Sequence, residues 1–198
     1  MKTRKSLFLS MLFAMTSVAL FSCGDNKQGT TDETVQNEEG GTALNNNTEE
    51  FSSEKASMTR IIEAYLQMKN ALVEDDVKKA KAAGAQMAGV IGQMDFTLFN
   101  ETKQDEIQQK MTDVNQYCEQ IANADLTEQR ARFSEMSGKM LELIALTGAD
   151  RTLYQQHCPM YNGGQGGTWL SDSEEVMNPL FGSQMLNCGS VTKTLATN

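Results

Sequence analysis

The chain has 198 residues and a formal net charge of −9, with 26 acidic against 17 basic side chains and a single histidine. That balance excludes a phosphate-backbone binder, because no basic stripe exists to displace counterions, so nucleic acid is not an expected partner. The lone histidine also rules out a blue-copper centre, whose usual two imidazoles are not available.

Residues 1–22 read as an export signal. Lys2, Arg4 and Lys5 precede an uncharged apolar run from Leu7 to Phe21, too short and too soon followed by polar residues to span a bilayer. Leu20-Phe21-Ser22-Cys23 resembles the signal of a bacterial lipoprotein, although Phe21 stands where a smaller residue is usual. The resemblance implies lipidation of Cys23 and a membrane tether in the envelope of a Gram-negative bacterium. An ordinary cleaved signal, with Cys23 a spare thiol, is the alternative. Residues 23–50 carry Asp25, Asp32, Glu33, Glu38, Glu39, Glu49 and Glu50 against Lys27 and have no aromatic side chain. Such a stretch buries too little to offset its ordering entropy and is expected to be a disordered acidic linker.

Residues 51–148 contain no proline, and their apolar side chains recur at helical spacing. A first helix is expected from about Glu54 to Val73, with Ile61, Tyr65, Met68 and Leu72 on one face. Asp75-Asp76 supplies the turn and cap for a second helix, whose small residues around Gly84 predict close approach to a neighbour. Phe96, Leu98 and Phe99 should plug one end of the core. A third helix begins near Asn100 and carries Ile107, Met111, Val114, Cys118 and Ile121. Asp125-Leu126-Thr127-Glu128 resembles a capping box opening a fourth, which runs to Thr147 with Gly148 at C′. Short connections imply antiparallel neighbours. The expected fold class is therefore all-α, an antiparallel up-and-down four-helix bundle followed by an irregular Gly/Cys/Met-rich C-terminal segment. Cys118 and the methionines at 68, 87, 111, 136 and 140 occupy core positions and are read as packing. No paired carboxylates or nucleophile elbow stand out, so no catalytic residues are assigned.

The chemistry gathers in residues 149–198, which are expected to pack on the bundle. This segment holds His157, Cys158, Met160, Met177, Met185 and Cys188, with both prolines and the only tryptophan, Trp169. Pro159 pushes Cys158 into an extended conformation. Along an extended chain Cys158 and Met160 share a side and His157 faces away. Ser171 or Ser173 is placed to cap a short helical turn, and Met185 stacks on Cys188 if the turn after Gly182 is helical.

Tyr154, His157-Cys158-Pro159-Met160, Trp169-Leu170-Ser171, Asn178-Pro179, Phe181-Gly182, Met185-Leu186 and Cys188-Gly189 resemble a domain of unknown function found in stand-alone bacterial lipoproteins. The same domain resembles the C-terminal extension of some periplasmic adaptors of copper/silver-type heavy-metal efflux pumps. Ala71-Leu72-Val73-Glu74-Asp75-Asp76 and Gln129-Arg130-Ala131-Arg132-Phe133-Ser134 look like its helical blocks, and Leu180 departs from the tyrosine expected after Asn178-Pro179. The resemblance implies heavy-metal handling in the envelope, with an efflux adaptor as a partner.

Two readings stand side by side. Thiolate and thioether donors select soft ions, so Cys158, Cys188, Met160 and Met185, with His157 or Met177 as a further ligand, suit Cu(I) or another soft metal; no organic cofactor is expected. Alternatively, an oxidising compartment favours a Cys158–Cys188 disulfide that staples the tail of a structural or interaction lipoprotein without metal. Neither is an enzyme.

Overall fold

The computed structural model describes residues 46–197 of the chain. The expected signal, the lipidated Cys23 and most of the acidic linker lie outside the described residues. Four helices come first: α1 (Asn46–Val73), α2 (Val77–Ile91), α3 (Glu101–Asn123) and α4 (Leu126–Thr147). The helix α1 starts earlier than the expected Glu54, at Asn46.

The remaining ends fall where local chemistry puts them. Asp76 caps α2 by accepting the Lys79 amide at 2.9 Å, and Asn100 caps α3 through the Thr102 amide at 3.0 Å. Asp125 caps α4 through the Glu128 amide at 3.0 Å, while the Glu128 carboxylate turns outward to accept from Arg132. The last turn of α4 closes on Gly148 at φ 80°.

The helices form a bundle in which consecutive members pack together and α4 returns to α1. Tyr65 and Phe133 stack across α1 and α4 with ring centroids 5.0 Å apart. The helix α2 lies so close to α3 that a Cβ on Gly84 would sit 3.0 Å from the Cys118 carbonyl, as its small residues foretold. Phe99 closes one end of the core, with Phe96 stacked beside it. The core methionines at 68, 87, 111, 136 and 140 are fully buried, and so is Cys118. Its thiol donates to Met136 Sδ at 3.7 Å, and burial pushes it up to about 12.

The C-terminal segment is not irregular. It folds into a three-stranded antiparallel sheet in the order β2-β1-β3, made of β1 (Leu153–Cys158), β2 (Gly167–Ser171) and β3 (Ser190–Leu195). The fold is therefore helix-rich with a small sheet, and the all-α expectation is corrected. The strand pattern in the sequence is masked because β1 buries the polar Gln156 and β3 is largely exposed. Neither shows the apolar alternation of a half-buried strand.

Strand β2 packs on α4 and α1, so α1 is covered on two sides. Tyr65 Oη joins all three elements: it shares a hydrogen bond with Ser137 at 2.6 Å and accepts the Leu170 amide at 3.0 Å. The second cover also buries Lys69, which is 4 % exposed. Its ammonium reaches Ser171 Oγ at 3.4 Å and Asp172 at 4.0 Å, both poor partners for a desolvated charge. Burial lowers the Lys69 pKa from the ordinary 10.5, and Asp172 only partly offsets this. With the folded pKa below the unfolded one, the unfolded chain binds the proton more tightly. Lys69 therefore costs stability at neutral pH, and the cost fades as pH rises from the lowered value towards 10.5. Lys69→Met is expected to raise stability at pH 7 by on the order of 1 kcal/mol, with the gain shrinking in alkali. Denaturant melts of both proteins across that pH range measure it; equal curves at every pH refute it.

Candidate thiol site

Cys158 ends β1, where it pairs with Gly167 of β2 and is fully buried. On the other edge the β1–β3 ladder begins at His157 opposite Ser190. Gly189 therefore lies directly against the end of β1: a Cβ there would stand 2.9 Å from the His157 carbonyl oxygen and 3.1 Å from Trp169 Cη2. This sets Cys188, half-buried, beside Cys158. The two free cysteines interact side chain to side chain. The Cys158 thiol, then burial and the neighbouring sulfur's charge, push the Cys188 thiol above its ordinary value, while the Met160 amide pulls the other way.

The backbone carrying Cys188 is fixed by a residue that sequence reasoning noted only as part of a block. Asn178 is fully buried. Its Nδ2 donates to the Cys188 carbonyl at 2.8 Å, and its Oδ1 accepts the amides of Leu180 at 2.8 Å and Phe181 at 3.2 Å. Gln156 does the same for the preceding loop. Its Oε1 accepts from Trp169 Nε1 at 2.8 Å and its Nε2 donates to the Ser173 and Glu175 carbonyls at 2.9 and 3.1 Å. Buried amides with all these partners are rigid frames.

A third fixture joins the loop to the bundle. Arg130 of α4 donates to the carbonyls of Leu72 and Pro179, both at 3.2 Å, and pairs with Asp75 in the α1–α2 turn. Asp75 in turn accepts from Ser183 Oγ at 2.5 Å. The ion pair and the Ser183 bond hold the Asp75 carboxyl below its ordinary range, the Ser183 bond contributing most. Asp75 and Arg130 looked like turn and helix-block residues in sequence; their meeting is a tertiary fact.

The expected ligands are thus partly gathered. Cys158 and Cys188 meet side chain to side chain. Met160 reaches Cys188 through its amide, but its side chain is 59 % exposed and does not share a side with Cys158. The extended chain stops at Cys158, and Met160 turns into αR at φ −86° and ψ −14°. His157 faces away from Cys158, as expected, with Nδ1 3.1 Å from Thr168 Oγ1. Met185 and Cys188 do not stack on a helix: the 3-10 turn covers Gly182–Gln184, Met185 leaves it at φ −148° and ψ 58°, and the Cys188 amide bonds the Met185 carbonyl at 3.1 Å. Met185 and Met177 are half-buried. Ser171 and Ser173 start no helix either; each accepts the amide two residues on, at 3.1 Å.

Among the described residues no group of three or more His, Cys, Asp and Glu side chains is placed to hold a metal ion. A closed four-ligand zinc site of those residue types is therefore not assembled, whereas a paired-thiol site needs only two such groups.

Residues 61–152 match the family described as protein of unknown function (DUF3347). The match supports a domain-of-unknown-function family for the helical part of the chain, and it stops just before β1. The thiol pair lies beyond it. No curated protein and no solved structure matches the chain.

Proposed function

We propose that this chain is a non-enzymatic envelope lipoprotein that binds a soft metal ion, Cu(I) first, through Cys158 and Cys188. The cargo is sequestered or handed to a heavy-metal efflux adaptor. The observation that carries the reading is the contact of two free thiols at one end of the sheet. Paired thiolates are soft donors suited to Cu(I) at low coordination number, and the thioether-bearing residues Met160 and Met185 meet Cys188 through their backbones. Export and membrane anchoring rest on the signal and Cys23.

The same contact favours a second reading, a Cys158–Cys188 disulfide in a structural or interaction lipoprotein. The discriminating experiment is a Cu(I) competition titration of the reduced full chain against a chromophoric chelator. Cys158→Ser/Cys188→Ser is expected to weaken binding by at least about 100-fold, the scale of losing two charged ligands. Trp169, the only tryptophan, lies against Gly189 and should report the binding by quenching. Parent-like affinity in the double variant removes the tail as the site. A disulfide that is quantitative and persists under copper stress selects the second reading.

A further inference from the structure

We propose that Cys188 and Cys158 form a thiol–disulfide exchange pair, in which Cys188 reacts first and Cys158 resolves, so that oxidation shuts the metal site. The exchange itself stands on the sulfur geometry; only its consequence for metal rests on the function proposed above.

Three observations carry it. The β1–β3 register and the close approach of Gly189 to the His157 carbonyl already bring the Cys188 side chain against that of Cys158, so closure requires no refolding of β1. Their exposure is unequal: Cys158 is fully buried at the strand end, whereas Cys188 is half-open to solvent. Both backbones are held, Cys158 by its ladder to Gly167 and Cys188 by Asn178 and the Met185 carbonyl. A held pair with one accessible member can be attacked from outside at a single sulfur, and its partner then completes the reaction from within.

The co-substrate is a disulfide, either small, of the oxidised-glutathione class, or on a protein. Cys188 thiolate attacks one of its sulfurs, forming a mixed disulfide and expelling one thiolate. Cys158 thiolate then attacks the Cys188 sulfur, forming the internal disulfide and expelling the second. Cys158 and Cys188 lose two protons and two electrons in all, and both electrons leave on the co-substrate's sulfurs. The deeply buried Cys118 is the internal control.

The test is rapid acid-quenching of the reduced full chain with oxidised glutathione, followed by peptide mapping. Expected is a glutathione adduct on Cys188 in Cys158→Ala, at least about tenfold faster than any adduct on Cys158 in Cys188→Ala. The parent should pass to the internal disulfide, with Cys118 unmodified. The parent time course needs no variant to fold. Adducts on Cys158 first, or a parent that stops at the mixed disulfide, overturn the proposal. Fully oxidised parent should then bind Cu(I) at least about 100-fold more weakly than reduced parent. If reduced protein binds no Cu(I) while the exchange order holds, the metal reading has failed and the exchange pair has not.

Discussion

Gly182→Ala will lower stability by about 3 kcal/mol or more and loosen the loop that carries Cys188. Gly182 sits at φ 56°, where any Cβ costs about 1 kcal/mol before it meets a neighbour. Here it meets three: the new methyl would overlap Asp75 Oδ1 and Arg130 Nη2 and stand 3.0 Å from the Leu72 carbonyl. None can yield cheaply. Asp75 is itself at φ 58° and is bound by Arg130 and Ser183, while Arg130 is spread over the Leu72 and Pro179 carbonyls. Relief requires opening an ion pair that is 11 % exposed on its arginine side, leaving a poorly solvated guanidinium. Gly138→Ala is the matched control, because a Cβ there meets nothing within 4 Å inside α4; it should be neutral or stabilising by about 0.5–1 kcal/mol. Urea melts compare the two variants. A Gly182→Ala midpoint equal to the parent's would show that the Asp75–Arg130–Ser183 contact does not hold the loop.

How much of this could be read from the chain itself follows from how local each determinant is. Helix caps are local: Asp76, Asn100 and Asp125 announce themselves by residue type and position, and each accepts the amide that its type predicts. The apolar stripes of the helices are local in the same sense, so Tyr65, Met68, Phe133 and Met140 were legible as core. The sheet was not, because its central strand buries an amide, Gln156, whose partners lie on β2 and in the following loop. Nothing in the pattern around Gln156 says that its carbonyl meets an indole. Lys69 is the converse case. A lysine on a helix reads as solvent-facing, and only the sheet laid over α1 makes it a buried charge. For the candidate site, Pro159 correctly placed Cys158 on an extended segment, and His157 on its opposite face. The chain reverses immediately afterwards, so period-two reasoning carried one residue too far and misplaced Met160. The pairing of Cys158 with Cys188 depends on the β1–β3 register and on Asn178 holding the Cys188 carbonyl, neither of which the sequence spells out.

Trp169→Ala should be the most damaging single truncation, at about 4 kcal/mol or more, and it will decide whether the sheet is an appendage or part of the domain. The indole is fully buried on β2, and removing it leaves a cavity of the kind that costs about 3–5 kcal/mol. It also strips Gln156 Oε1 of its donor inside the core, a further loss on the order of 1–3 kcal/mol that is not simply additive. Against a typical total of about 5–15 kcal/mol, most of the folded state's margin is then gone. Trp169→Phe separates the contributions, since it keeps much of the apolar volume and orphans only the Gln156 oxygen. Because Trp169 packs within the same buried cluster as Tyr65, Phe133 and Met140, the helices should not survive its loss independently. In the parent, tryptophan fluorescence and far-ultraviolet circular dichroism should therefore melt together, and in Trp169→Ala the helical signal should collapse at a lower midpoint as one transition. Helical signal that outlasts the tryptophan signal in the parent would instead make the helices a self-sufficient unit. The thiol-bearing sheet would then be a separable attachment, and Tyr65, which binds the Leu170 amide, would be only a docking contact.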